Sequence, residues 1–139
     1  MIRVVIDTNI LVSALLQPEG LPAAVFMLAL SGQVQLCVSN AIFAEYDDVI
    51  RRPRLKRPLD VIEGTLQSIR KLGHWIKPTI RVEECSDADD NVFLECAQAA
   101  KADYLVTGNL RHFPRFWRQT KIITSREFLT MVAPHLLRS

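Results

Sequence analysis

The sequence predicts an α/β protein, a central parallel β-sheet flanked by helices on both faces, formed as one domain over 1–139. Three observations predict it. Short β-rich runs alternate with longer segments of helical periodicity, and such alternation builds parallel sheets because parallel neighbours need a crossover between them. No internal repeat or linker interrupts the chain. Its 139 residues are enough to bury a real core without disulfides or a structural metal.

Taken in order, "IRVVI" (2–6) is the first buried strand, followed at once by "DTN" and a helix over 9–16. The next helix, 21–31, has Pro22 in its first turn and Gly32 as its C-terminal cap. "QLCVS" (35–39) is the second strand and leads into a helix over 40–51. A helix over 59–72 follows, with Pro58 suited to its first turn and Gly73 to its cap. "HWIKP" (74–78) is either a further strand or an extended connector. A helix over 88–101, the third strand "DYLVT" (103–107), the fourth strand "KIIT" (121–124) and a last helix near 125–137 complete the chain.

Composition narrows the class. Apolar residues make up 49% and charged residues 23%, with five Gly, seven Pro and no low-complexity tract, so the chain is expected to be globular throughout. Cys37, Cys85 and Cys96 are odd in number and lack paired metal-ligand spacing, and they read as reduced thiols of a cytoplasmic protein. The longest apolar stretch, "LPAAVFMLAL", is ten residues long and contains Pro22, short of the roughly 20 that a membrane span needs. The start does not resemble a signal peptide, because Asp7 and Asn9 interrupt its apolar segment. A net charge of +2 does not by itself argue for nucleic acid.

Ligands of open α/β sheets collect at the carboxyl ends of the strands. Here those positions hold "DTN" after the first strand, "SNAIFAE" after the second and "TGN" after the third, with "SDADDN" opening the fifth helix. Each has an ordinary structural explanation. Asp7 is placed to cap the helix that follows it. Glu45 borders the apolar stripe formed by Ile42, Phe43, Tyr46, Val49 and Ile50, with Asp47 at the other border and Asp48 facing outward. Ser86 with Asp89, or Asp87 with Asp90, fits a helix cap followed three residues later by an acid. Asp103 begins the third strand, at the opposite end of the sheet, and reads as structural.

Other chemistries fit poorly. A D-x-D phosphatase nucleophile lacks its second acid, which is Asn9. A calcium loop starting at Asp87 has Val92 where Gly belongs and Gln98 where Glu belongs. His74, His112 and His135 are scattered, which argues against zinc. A receiver-like phosphoacceptor lacks a lysine after a late strand and an acid pair beside Asp7.

The combination of acids points elsewhere. Asp7, Glu45 and Asp90 converge at one edge of the predicted sheet, and two such charges about 4 Å apart repel by roughly 4 kcal/mol at an effective dielectric near 20. A cation relieves that repulsion, and an all-oxygen pocket selects Mg²⁺ or Mn²⁺ over zinc. The chemistry implied is metal-assisted phosphodiester hydrolysis.

The stretches "VVIDTNILVSALL", "SNAIFAEYDDVI", "DADDNVFLECAQAAKADYLVTGN" and "LRHF", in this order and spacing, resemble the PIN-domain ribonucleases, especially the VapC-type toxins, over almost the whole chain. The resemblance implies a PIN-like fold, Mg²⁺- or Mn²⁺-dependent cleavage of single-stranded RNA, a homodimer and a cognate antitoxin. It assigns Asp7, Glu45 and Asp90 to the family's first three acids and Thr8 or Asn9 to the polar residue behind the first. The fourth acidic position falls on Asn109, with His112 three residues later, so one negative charge is missing and a second metal is in question. On this resemblance Asp7 and Asp90 hold the metal, Glu45 supports it or orients the attacking water, and Thr107 and Asn109 position a water or phosphate. In-line attack leaves a 5′-phosphate and a 3′-hydroxyl.

Two basic groups fit a nucleic-acid partner. Arg51, Arg52, Arg54, Lys56 and Arg57 fall within seven positions, and Arg111, Arg115, Arg118 and Lys121 flank Phe116 and Trp117. They suit phosphate contacts and base stacking, although the first group equally suits a solvated helix junction, and Trp117 suits burial in the core or a dimer interface better than stacking. A PIN module that binds RNA or a protein partner without cleaving is the alternative reading.

Overall fold

The structure is a computed structural model and describes residues 1–137. Its sheet has six strands among the described residues: β1 (Arg3–Ile6), β2 (Gln35–Val38), β3 (His74–Trp75), β4 (Tyr104–Val106), β5 (Phe116–Trp117) and β6 (Thr120–Ile123). Their order is β3-β2-β1-β4-β6-β5. β1 pairs in parallel with both β2 and β4, β2 with β3, and β4 with β6, and β5 alone is antiparallel, against β6. The helices are α1 (Thr8–Leu16), α2 (Leu21–Leu30), α3 (Asn40–Ile50), α4 (Leu59–Leu72), α5 (Asn91–Ala100) and α6 (Ser125–Val132).

Successive residues of a strand point to opposite faces. Val4, Val5 and Ile6 are nevertheless all buried, as are Leu105 and Val106, so both faces of the central strands are covered. α5 packs over β1, β2 and β4, while α2 and α6 pack on each other and reach β2 and β4. No single helix is long and apolar enough to cross a membrane. "LPAAVFMLAL" is α2, with Val25, Phe26, Leu28 and Ala29 in the core.

The expected parallel sheet is corrected at one edge by β5. Phe116 opposes Lys121 and Trp117 opposes Thr120, so Arg118 and Gln119 form a two-residue hairpin turn, with Arg118 at φ 56°. Two residues are too few for a periodic signal, and the turn lacks the Asn-Gly or Asp-Gly pair that marks such hairpins. "HWIKP" contributes a strand, but only through His74 and Trp75.

Helix boundaries also shift. The segment 88–90 is a single 3-10 turn before α5, and the last helix stops at Val132 ahead of a 3-10 turn at Pro134–Leu137, because Pro134 has no N–H to continue the ladder. Pro58 stands one residue before α4 instead of inside its first turn. Gly73 does follow α4, but with φ −68° it is not there for a left-handed cap. A Cβ at Gly73 would lie 2.7 Å from the Ile69 carbonyl oxygen and 3.2 Å from the Val38 side chain. The turn of the chain against the last carbonyls of its own helix, tightened by Val38 of β2, therefore excludes a side chain.

The three thiols are unpaired. Burial pushes Cys37 and Cys85 up to about 11 and Cys96 up to about 12. All three stay protonated at neutral pH and make poor metal ligands.

Candidate acidic cleft

β1 delivers Asp7 to the carboxyl edge of the sheet. Its backbone N–H donates to the Val106 carbonyl at 2.9 Å, so it extends the β1–β4 ladder by one residue. Its side chain does not cap α1. It accepts instead from the Thr107 hydroxyl at 2.7 Å, and that hydroxyl accepts the Asn109 backbone N–H at 2.9 Å. The Gly108 N–H donates to Asn9 Oδ1 at 3.2 Å. Thr107 and Asn9 thus lock the turn after β4 onto the turn after β1.

α3 delivers Glu45. Ser39 caps this helix by accepting the Ile42 N–H at 3.2 Å. Tyr46, 1% exposed, donates its hydroxyl to the Ile6 carbonyl at 2.5 Å and ties α3 to the residue preceding Asp7. Burial raises the Tyr46 hydroxyl well above its ordinary range, so it stays a donor. Glu45, its neighbour, accepts the Thr8 hydroxyl through Oε2.

Asp90 ends the single turn Ala88–Asp90. Asp87 organises that turn by accepting the Asp89 N–H at 3.0 Å, and Asn91, buried, accepts the Cys85 N–H at 2.8 Å and closes the loop. Asp87 is therefore the cap, as one of the two expected pairings has it, but its side chain accepts from Asp89 and not from Asp90, three residues on. Asp90 Oδ2 is buried without a hydrogen-bond partner. His112 Nδ1 lies 3.4 Å away, too long and too poorly aligned to satisfy it.

Asp7, Glu45 and Asp90 line one cleft, together with Asp87, Asp89 and Asn109. Proton affinities report the crowding. Burial first, then the charges of Asp90 and Glu45, raise Asp7 to about 6 against the pull of the Thr107 hydroxyl and the Thr8 N–H. Burial also raises Glu45, which Asp90, Asp89 and Asp87 raise further and Thr8 opposes. Asp90 is raised by burial and by Asp87, with His112 pulling the other way. Burial together with the neighbouring acids thus biases all three carboxyls toward the neutral form.

No three His, Cys, Asp or Glu side chains among the described residues are placed to hold one ion by themselves. Glu45 is turned onto Thr8. That still fits Mg²⁺ or Mn²⁺, which bind through one or two carboxylates and keep several waters. The orphaned Asp90 Oδ2 and the buried Asp7 are the two oxygens that fit.

The first basic group is divided by the fold. Arg51 pairs with Asp47 at 2.5 Å and Glu63 at 2.6 Å. Arg57 donates to the carbonyls of Leu55 and Leu15. Arg52, paired with Asp48 at 3.1 Å, and Arg54 line the rim of the acidic cleft. Arg54 and Lys56 make no ion pair among the described residues. In the second group, Trp117 donates to Gln98 at 2.9 Å and is half-buried beneath Arg118, whereas Phe116 is 67% exposed.

His112, noted in the sequence for its place three residues after Asn109 but given no role there, also lines the cleft. Its signal is the spacing: in a 3-10 turn, residues three apart lie one above the other, so His112 returns to the side of Asn109.

A mostly parallel sheet with an acidic cleft at its carboxyl edge defines the class, an α/β protein with buried carboxyls gathered at the ends of its strands. The chain belongs to the PIN-domain family, whose model matches residues 3–111. An uncharacterised protein of Methanocaldococcus jannaschii is 32% identical over 111 residues, covering 78% of this chain and 71% of that protein. Among solved structures, a chain of the VapBC2 crystal structure from Rickettsia felis, bound to a DNA fragment from its promoter, is similar with a TM-score of 0.58 at 16% identity. That match covers 88% of this chain and 98% of the other.

Proposed function

We propose that this PIN-domain protein is an Mg²⁺- or Mn²⁺-dependent endoribonuclease that cuts single-stranded RNA, acting in the cytoplasm as the homodimeric toxin of a type II toxin-antitoxin pair. The observation that carries the reading is the cleft itself: Asp7, Glu45 and Asp90, drawn from three separate segments, face one another at the sheet edge with raised proton affinities. Family membership and the likeness to a chain of VapBC2 support the toxin-antitoxin context.

Asp7 and Asp90 are the residues that would hold the ion. Bound there, it would supply Lewis acidity, lowering the pKa of water and offsetting charge at the phosphorus. Thr107 fixes the Asp7 carboxylate through its hydroxyl, so Asp7 does not have to be ordered when the substrate arrives. Glu45, held through Oε2 by Thr8, keeps Oε1 free to orient the attacking water and take its proton. Arg52 and Arg54, at the rim, meet phosphates flanking the cut. Asn109 lines the cleft with an uncharged amide, suited to a phosphate oxygen or a water.

A second reading, a PIN module that binds RNA or a protein without cutting it, draws on two observations. The fourth position is Asn109, not an acid, and no three side chains converge on one ion among the described residues. Calorimetric titration with Mn²⁺, followed by cleavage of a labelled single-stranded RNA, separates the two. The nuclease reading requires saturable Mn²⁺ binding and product with a 5′-phosphate, both lost in Asp90→Asn. RNA binding with cleavage no faster than in Asp90→Asn establishes the second reading.

A further inference from the structure

His112 closes the turn Leu110–His112, and its Nδ1 faces Asp90 Oδ2 at 3.4 Å. At that distance the contact is a loose ion pair when His112 is protonated and not a well-formed hydrogen bond, and Asp90 Oδ2 has no other partner among the described residues. A buried carboxylate oxygen whose nearest partner is an imidazole nitrogen at 3.4 Å, longer than a well-formed hydrogen bond even when that nitrogen carries a proton, needs an explanation, and adjacent ligands of one cation supply it. With metal bonds of roughly 2.1 Å to oxygen and to imidazole nitrogen, neighbouring ligands of an octahedral ion lie roughly 3 Å apart. The observed separation is a few tenths of an ångström wider, which an entering ion would draw in.

Asn109 brings only a neutral amide to the cleft. Its backbone N–H is engaged by Thr107, and its side chain makes no hydrogen bond among the described residues. His112 is half-exposed, on a turn attached to Thr107 through Asn109, so it can swing toward the cleft without disturbing the core.

The geometry points to His112 as the stand-in for the absent fourth acid: a nitrogen ligand that joins Asp90 on the cation and shifts the site's preference from Mg²⁺ toward Mn²⁺. The inference rests on the metal-dependent reading above. Its chemical basis is ligand softness. Mg²⁺ takes oxygen almost exclusively, whereas first-row transition ions gain from imidazole. Replacing a carboxylate by imidazole also removes one negative charge, which weakens the hold on a hard ion most.

The test uses the full chain and the metals alone. Pulsed EPR of bound Mn²⁺ should show coupling to a directly ligated ¹⁴N in the wild type, absent from His112→Gln and His112→Asp. Calorimetry should show Mn²⁺ affinity falling by about tenfold in His112→Gln with Mg²⁺ affinity changed much less, and His112→Asp regaining Mg²⁺. Wild-type Mn²⁺ bound without ¹⁴N coupling, or coupling that survives in either variant, overturns the assignment and leaves the nuclease reading standing. Failure of the wild type to bind Mn²⁺ more tightly than Asp90→Asn overturns both.

Discussion

Two aspartates sit at opposite ends of the β1–β4 pair and are treated in opposite ways. Asp103, just before β4, lies at the amino edge, where its Oδ2 accepts the Arg3 N–H at 2.8 Å and its own N–H donates to the Arg3 carbonyl at 2.8 Å. Asp7, just after β1, lies at the carboxyl edge, 6% exposed, with two other carboxyls nearby. At the amino edge the acid's hydrogen-bonding capacity goes into closing the ladder in contact with water. At the carboxyl edge an acid is buried among like charges, a placement that weakens the fold and that the proposed cation would relieve. Position in the sheet, not residue type, separates a structural acid from a candidate ligand.

The widest separation is expected in activity. Asp7→Asn should lower Mn²⁺-dependent RNA cleavage by at least about a hundredfold, while Asp103→Asn, which keeps an acceptor for Arg3, should stay within about twofold of wild type. Equal losses in a cleavage assay would erase the distinction between the two edges.

Stability should move in the opposite sense. Asp7 titrates near 6 in the folded chain against 3.8 as its ordinary value. A carboxyl raised on folding binds more protons in the native state, so its contribution is fully present below 3.8 and is lost as pH rises through about 6. Asp7→Asn escapes that loss. Metal-free Asp7→Asn should therefore be more stable than wild type at pH 7, by about 1–3 kcal/mol, with the advantage vanishing below pH 4. Thermal melts at the two pH values, with and without Mn²⁺, measure it. A variant no more stable at pH 7 than at pH 4, relative to wild type, would remove the strain from Asp7.

Tyr46→Phe probes the tether behind the carboxyl edge. Losing the hydrogen bond to the buried Ile6 carbonyl should cost about 1–2 kcal/mol in urea unfolding, and RNA cleavage should fall further than stability alone explains, because Glu45 rides on the same helix. The smallest effect concerns the rim. Arg54→Ala should reduce the slope of log affinity for RNA against log salt by about one, whereas Arg51→Ala, whose guanidinium is engaged by Asp47 and Glu63, should leave the slope unchanged.

What the sequence reveals follows from how far each feature is fixed by local pattern. Strand and helix order could be read because apolar periodicity carries it, and the rule that ligands gather at carboxyl edges placed Asp7, Glu45 and Asp90 in one cleft. β5 was hidden, since two residues have no period and its turn lacks glycine. Asp7 reads as a helix cap because it stands just before α1, and only the Thr107 hydroxyl, remote in sequence, shows that its side chain is engaged elsewhere. The basic group read as one cluster because its partners Asp47, Asp48, Glu63 and Leu15 lie on other turns and elements. His112 could be placed three residues after Asn109 but given no role, because its meaning depends on Asp90, reached through the fold.

The Thr107–Asp7 hydrogen bond joins residues 100 positions apart. At synthesis rates of roughly 5–20 residues per second, the first acid leaves the ribosome about five to twenty seconds before the hydroxyl that orients it. During that interval β1 has no β4 beside it and the cleft has no second wall. The proposed nuclease would thus leave its own message uncut for as long as it is being made, and the interval is set by where two residues fall along the chain.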